Sequence, residues 1–168
     1  MKSIHVLFAF AMTWAAAATA AGSSSDAEFV KKAAAAGMAE VAVGRLAVSN
    51  GQSADIKQFG QRMVDDHSKA NDDLKAAAAK DNIDLPSAPT KEQQAAADKL
   101  GKLNGAAFDK EYARMMVKDH EEAVALFKKE AASGSSSNVK AFAQKALPTL
   151  EEHLTMAKDL GKPGAKSM

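Results

Sequence analysis

The sequence predicts an all-α protein, a bundle of four long helices arranged as two hairpins that a long crossover joins. Three observations predict it. The chain is 46% hydrophobic but only 5% aromatic, and its alanine-rich apolar fraction favours packed helices over a β-sandwich. Two short glycine- and serine-containing turns and one longer proline-containing segment separate the helical stretches. The length of 168 residues is typical of a single domain.

Composition excludes several classes of function. The chain contains no cysteine, which excludes disulfides, thiolate metal sites, iron–sulfur clusters and a cysteine nucleophile. A formal net charge of +1 argues against a nucleic-acid partner, because nonspecific binding depends on a basic face. The chemistry that remains belongs to carboxylates, histidines and methionines.

Residues 1–20 are predicted to be a secretory signal peptide. Lys2 is followed by an apolar stretch from about Ile4, and Ala18-Thr19-Ala20 fits the small-x-small pattern of a cleavage site. The stretch is short for a membrane span of ~20 residues, so we expect no stable span after cleavage. The protein is therefore predicted to be exported to the periplasm, with outer-membrane association or secretion as alternatives.

The mature domain is predicted to span residues 21–168, with a core over 26–160. Cleavage would leave equal numbers of acidic and basic residues. It would also leave three histidines, which are His67, His120 and His153.

The first hairpin is predicted from capping signals. Ser25 or Asp26 is the expected N-cap of a helix that ends at Gly51. The next helix is expected over about 53–80.

A long crossover is predicted over residues 81–105. Its first part contains the prolines, and Thr90 and Gln93 form a capping-box pattern that begins a short helix to about Leu100. An up-down-up-down bundle would not need so long a link. A bundle in which the link between the two hairpins runs along its full length does need one. The long segment therefore indicates the ferritin-like variant of the four-helix bundle.

The second hairpin is predicted over about 106–132 and 138–160, with a serine-rich loop between. Pro148 is expected to kink the last helix, because its missing N–H removes one hydrogen bond of the helix.

Two internal repeats are present. Residues 51–62 match 134–145 with five identities in 12 positions, which indicates a duplicated hairpin. Met63-Val-Asp-Asp-His67 also matches Met116-Val-Lys-Asp-His120, but this repeat pairs different helices. One duplication cannot explain both, so we interpret the histidine repeat as a shared requirement of one layer of the core.

The heptad positions of the four long helices hold apolar residues or glycine, with one polar residue in each helix. These four residues are Glu40, His67, His120 and His153. Burying an unpaired polar group costs roughly 2–7 kcal/mol, and a divalent ion offsets that cost. The four residues are therefore predicted metal ligands.

Imidazole and carboxylate ligands suit zinc or iron, and also manganese and nickel. Copper is a weaker alternative through the thioethers of Met38, Met63, Met115, Met116 and Met156, because methionine at helical spacing is more often core filler. Asp66, Asp119 and Glu152 each precede a histidine. Adjacent helix residues diverge, so these carboxylates are expected to orient the imidazole of a neighbouring helix.

Two alternatives to simple metal binding are open. The four polar residues could form a metal-free hydrogen-bond network that fixes helix register. Alternatively, water at the fourth position could make a metal-dependent oxidoreductase or hydrolase. No nucleophile or general base stands out, so a role in metal handling or envelope stress is favoured over catalysis.

The sequence also resembles a known family over about residues 27–160. The residues that carry the resemblance are Glu40, Phe59-x-x-x-Met63-Val-Asp-Asp-His67, Leu85-Pro86, Gly105-Ala-Ala-Phe-Asp109, Met116-Val-x-Asp-His120 and Leu147-Pro148-x-Leu-x-Glu-His153. They are similar to a bacterial exported family known as domain of unknown function 4142, which is assigned to the ferritin-like superfamily. The resemblance implies an exported bundle with a central metal site and no established reaction.

The sequence departs from the di-iron pattern of ferritin-like proteins. Those proteins use Glu-x-x-His on two helices. Here Val64, Val117 and Leu150 occupy the positions three residues before the histidines. This departure argues against di-iron oxygen chemistry and ferroxidase activity.

Overall fold

The structure, a computed structural model, describes residues 23–160. These residues form five helices and no strands: α1 (Ser24–Asn50), α2 (Ala54–Lys80), α3 (Lys91–Gly101), α4 (Gly105–Ser133) and α5 (Ser137–Leu160). The predicted signal peptide, residues 1–20, lies outside the described residues. No helix within 23–160 combines the length and the hydropathy that crossing a membrane requires.

The arrangement of the helices confirms the ferritin-like bundle. The helix pairs α1–α2 and α4–α5 pack as hairpins, α1 also packs on α4, and α2 also packs on α5. The turn that follows α1 contacts the first turn of α4 through Asp109, so α1 and α4 run in opposite directions. The helices α2 and α4 are therefore parallel, which requires the link between them to run along the length of the bundle. Within this link, α3 packs mainly on α1.

The start of α1 corrects one prediction. The N-cap is Ser23, whereas Ser25 or Asp26 was expected. Asp26 instead occupies the third helical position and completes a capping box, in which its carboxylate accepts a hydrogen bond of 2.8 Å from the backbone N–H of Ser23. The helix therefore begins before the predicted cap.

Other local signals are confirmed. Gly51 ends α1, and the capping box of Thr90 and Gln93 begins α3. The last helix continues through Pro148, and the kink expected there stays a prediction.

One aspartate near the start of each hairpin accepts hydrogen bonds from the turn of the other hairpin. The Asp26 carboxylate accepts hydrogen bonds from two backbone N–H groups of the α4–α5 turn, at 2.9 and 3.1 Å. The Asp109 carboxylate accepts two from the α1–α2 turn, at 2.8 and 2.9 Å. Each aspartate precedes the glycine of its own hairpin's turn, Gly51 or Gly134, by 25 residues. The duplication inferred from the turns therefore extends over α1 and α4.

The core consists of two apolar clusters with a polar layer between them. One cluster, at the end where α1 begins, includes Phe29, Leu74 and Phe142. The other cluster, at the opposite end, includes Phe59 and Phe108. Along each long helix the predicted polar residue falls between the two clusters, and all four are buried. We call Glu40, His67, His120 and His153 the polar layer.

Parallel helices explain the repeated Met-x-x-x-His pattern. Met63 on α2 and Met116 on α4 both lie in the second apolar cluster. Since α2 and α4 run in the same direction, the histidine four residues later enters the polar layer in both. The structure thus supports the interpretation that one layer of the core imposes this repeat.

We expect Asp26→Ala to lower the free energy of unfolding by about 3 kcal/mol, because the substitution leaves buried N–H donors without an acceptor. Asp26 is fully buried. In the matched variant, Asp109→Ala, the lost hydrogen bonds are exposed, and the loss should be about 1 kcal/mol. Urea unfolding measures both values. Equal losses of unfolding free energy in the two variants would show that burial does not make the Asp26 hydrogen bonds contribute more than those of Asp109.

Candidate metal centre

Three histidines from three helices meet in the polar layer. The ring centroids of His67, His120 and His153 are 5.4, 5.5 and 5.7 Å apart. One ring nitrogen of each lies within 4.8 Å of the others. The ring of Phe59 packs against His120 and His153 at centroid distances of 6.4 and 6.3 Å. We call these three residues the histidine cluster, and its members are 8%, 1% and 1% exposed.

Each member of the cluster has a buried ring nitrogen without a hydrogen-bond partner. His120 donates from Nδ1 to the backbone carbonyl of Met116 at 3.0 Å, which leaves the lone pair of Nε2 free. His153 donates from Nε2 to Asp66 Oδ2 at 2.9 Å, which leaves Nδ1 free. Nε2 of His67 has no partner among the described residues. Each of the three histidines thus has one buried ring nitrogen without a partner among the described residues, which is uncommon for buried polar atoms, and a neutral imidazole nitrogen can ligate a divalent ion.

The Asp66 carboxylate orients His153 and is itself held in place. Arg62 donates to Asp66 Oδ2 at 3.3 Å and lies 2.8 Å from Glu152. Burial would raise the pKa of Asp66, but the hydrogen bond from His153 and the neighbouring Arg62 outweigh burial and lower it. The expectation that a carboxylate orients an imidazole of a neighbouring helix is confirmed for Asp66. It is wrong for Glu152, which pairs with Arg62 instead, and for Asp119, which forms no hydrogen bond with an imidazole among the described residues.

The fold keeps the histidine cluster uncharged. Burial lowers the pKa of His67 to about 3, and repulsion from the other two imidazoles contributes. Burial likewise lowers the pKa of His120 to about 4 and lowers the pKa of His153. The imidazoles are therefore neutral at pH 7, which is the form that binds a metal.

The fourth predicted ligand, Glu40, lies beside the cluster. Its carboxylate is not among the atoms that lie within 4.8 Å of one another. Burial raises the pKa of Glu40 to about 8, with a further contribution from Asp119. The side chain is 7% exposed, and Oε2 has no hydrogen-bond partner among the described residues. The structure thus brings three of the four predicted residues together and places the fourth on an adjoining wall.

Two residues near the site were not predicted. The hydroxyl group of Tyr112 is buried and has no hydrogen-bond partner within residues 23–160, and burial together with Glu40 raises its pKa well above 10. Tyr112 was missed because it lies next to the heptad position of Ala113. Arg62 could have been found from its spacing, since it precedes Asp66 by one helical turn.

Two clefts reach the histidine cluster. The first cleft, of about 1640 Å³, lies between the crossover, α1 and α4, and Glu40, His67, His120 and Asp119 line it. The second cleft, of about 150 Å³, lies among the four long helices, and its walls include Asp66, His67 and His153. His67 is the member of the cluster that borders both.

Comparison with known proteins identifies a family and a shared fold. The family model described as "Domain of unknown function (DUF4142)" matches residues 11–160. A DUF305 fragment from Deinococcus radiodurans superimposes with a TM-score of 0.71 at 14% identity, over 83% of this chain and 97% of that chain. A DUF305 protein from Streptomyces coelicolor, described as a candidate secreted protein, gives a TM-score of 0.69 at 15% identity, over 81% and 89% of the two chains. No curated protein matches the sequence.

In the metal-free protein, His67 should reduce stability as the pH falls below about 6.5, the ordinary pKa of histidine. Between about pH 6.5 and 4.5 the unfolded chain binds a proton at His67 that the folded chain excludes, because the folded pKa is about 3. His67→Gln lacks this penalty. Its free energy of unfolding relative to the parent should rise by on the order of 2 kcal/mol between about pH 7 and pH 4.5, which urea unfolding measures.

The parent protein is the necessary reference, because two buried acids act in the opposite direction. Burial raises the pKa of Glu40 to about 8 and that of Glu130 to about 7, so their contribution to stability is lost as the pH rises. Both acids are present in parent and variant, and the difference isolates His67. An identical difference at both pH values would show that the fold does not hold His67 neutral.

Proposed function

The chain belongs to the DUF4142 family, and we propose that it is an exported helical bundle that binds one divalent metal ion in its core. The observation that carries this proposal is the set of three neutral, buried and unpartnered imidazole nitrogens. Without an ion, each such group costs free energy that the fold does not recover. An ion would satisfy all three at once.

The proposed ligands are Nε2 of His67, Nε2 of His120, Nδ1 of His153 and the carboxylate of Glu40. Donor atoms of a tetrahedral zinc site are about 3.4 Å apart, since zinc–nitrogen bonds are ~2.0–2.1 Å long. One ring nitrogen of each histidine already lies within 4.8 Å of the others, so binding one ion would require local rotations of the rings. Glu40 would turn from the cleft wall and release its proton. The Met116 carbonyl and the Asp66 carboxylate would fix the two imidazoles that they contact.

Zinc is the ion that best fits three neutral nitrogens and one carboxylate, and iron fits the same donors. Copper fits less well, because a thioether ligand would have to come from the methionines. The sulfur of Met156 accepts a hydrogen bond from Arg62 at 3.3 Å, and Met63 and Met116 belong to an apolar cluster.

The proposed role is metal handling or envelope stress outside the cytoplasm, in the periplasm or beyond. The predicted signal peptide supports export. The similar Streptomyces coelicolor protein, described as a candidate secreted protein, agrees with it. A binding role requires no catalytic group beside the ion, and the sequence predicts no nucleophile or general base there.

We expect protein purified without a histidine tag to bind zinc at one ion per chain, by metal analysis and calorimetric titration. At a zinc concentration of about 100 times Kd, the free energy of unfolding should rise by about 2.7 kcal/mol. His120→Ala should abolish stoichiometric binding. Glu40→Gln should weaken it by about tenfold or more, since a neutral amide replaces a charged ligand.

Glu130→Gln is the matched control, because Glu130 is another buried carboxyl group, 6% exposed, outside the polar layer. It should bind zinc with the affinity of the parent. Protein that stays metal-free, with a melting temperature that added zinc or iron does not change, would refute the proposal.

A further inference from the structure

An ion must enter a nearly closed space to reach the histidine cluster. The three imidazoles are 8%, 1% and 1% exposed, and apolar clusters close the bundle above and below them. The two clefts that border the cluster are the candidate paths. They differ in size and in the state of their carboxylates.

Two acidic side chains of the first cleft, Glu40 and Asp119, form no ion pair among the described residues. Glu40 lines the cleft and is 93% buried, since 7% of it is exposed, and its buried Oε2 has no hydrogen-bond partner among the described residues. Asp119 lines the same wall from α4 and interacts electrostatically with Glu40. No hydrogen bond or ion pair engages Asp119 among the described residues. The two side chains therefore offer oxygen ligands to a cation on the way to His120.

Three of the five basic residues that line this cleft are paired. Lys118 lies 3.8 Å from Glu122, Lys32 lies 2.6 Å from Glu28, and Arg114 forms an ion pair with Glu111. Lys31 and Lys99 form no ion pair among the described residues, but both are exposed, so solvent and salt screen their charge. The charges of the paired residues are compensated locally, so these residues oppose the approach of a cation only weakly.

The second cleft offers no such path. Its volume is about one tenth of the first, 150 against 1640 Å³. Its carboxylates are engaged, because Asp66 binds Arg62 and His153, and Asp73 binds Lys69 and Lys145 at 3.4 and 2.9 Å. The positive charges of Lys69 and Lys145, which line this cleft, would therefore oppose the entry of a cation.

We propose that the divalent ion reaches the histidine cluster through the first cleft, and that Glu40 and Asp119 form a transient cation-binding site on its wall. This inference rests on the proposed function, and it adds a path and a residue, Asp119, to it. Asp119 acts before the ion is bound and is not one of the final ligands.

A path and a ligand leave different kinetic signatures. A residue that only narrows the path raises one barrier, so it slows association and dissociation by the same factor and leaves Kd unchanged. Loss of a final ligand changes Kd. The ratio of the two rate constants therefore separates the hypotheses.

The test is stopped-flow binding of Co²⁺, whose visible absorbance reports tetrahedral coordination. Ala39, which lines the first cleft only, is changed to leucine; Ala70, which lines the second cleft only, provides the matched Ala70→Leu control. Ala39→Leu should slow both association and dissociation by about tenfold and keep Kd within about threefold of the parent. Ala70→Leu should leave both rates unchanged.

Asp119→Asn tests the transient site without adding bulk. It should slow association by about tenfold and reduce the dependence of the association rate on salt, because an attracting charge is lost. Asp73→Asn, at the second cleft, should do neither. If Ala39→Leu does not fold, the rate of Asp119→Asn decides.

Three results would overturn the inference. Slower binding in Ala70→Leu but not in Ala39→Leu would place the path in the second cleft. Unchanged association in Asp119→Asn would remove the transient site, and a tenfold rise in its Kd from faster dissociation would make Asp119 a ligand. In each case Co²⁺ still binds and the proposed function stands. Failure of the parent to bind Co²⁺ or Zn²⁺ would refute both proposals.

Discussion

The structure depends on how a layer of polar side chains is accommodated between two apolar clusters. Four helices each contribute one buried polar residue between the two clusters. The fold itself supplies hydrogen-bond partners for some of these polar atoms. The Met116 carbonyl takes one proton of His120, and Asp66 takes one of His153. Each of these hydrogen bonds fixes which nitrogen the imidazole turns toward the centre, so the scaffold selects the tautomers before any ion is present.

The duplicated scaffold does not by itself build this layer. The aspartate ties at Asp26 and Asp109 recur with the spacing of the two hairpins, and so do the turns. The histidines do not recur. At the same spacing of 83 residues, His67 corresponds to Leu150 and His120 to Gly37. The layer arises instead from α2 and α4, which are parallel only because the crossover runs the length of the bundle. Topology, rather than repetition, therefore aligns the two Met-x-x-x-His blocks.

Sequence patterns predicted what depends on neighbours along the chain. Gly51 and the capping box at Thr90 predicted helix ends, and the heptad positions predicted that the three histidines lie in the core. The missed features depend on contacts between distant elements or on torsion angles. The role of Asp26 requires the position of a turn 109 residues away. The displacement of Glu40 from the cluster depends on helix tilt and on a side chain with three rotatable bonds, which no periodicity determines.

Charge explains why carboxylates surround a site of neutral ligands. Without an ion, the layer is uncharged at pH 7, because burial keeps the imidazoles neutral and keeps Glu40 protonated. A divalent ion would bring two positive charges into a region of low dielectric constant, where an uncompensated charge is costly. Ionised Glu40 cancels one of them, and Asp66, whose pKa is lowered, cancels the other through His153. Arg62 pairs with both Asp66 and Glu152, so these three groups together carry one net negative charge beside the layer. Glu40 and the Asp66 group together would thus compensate both charges of a divalent ion. The polar layer without an ion is uncharged and needs no such compensation.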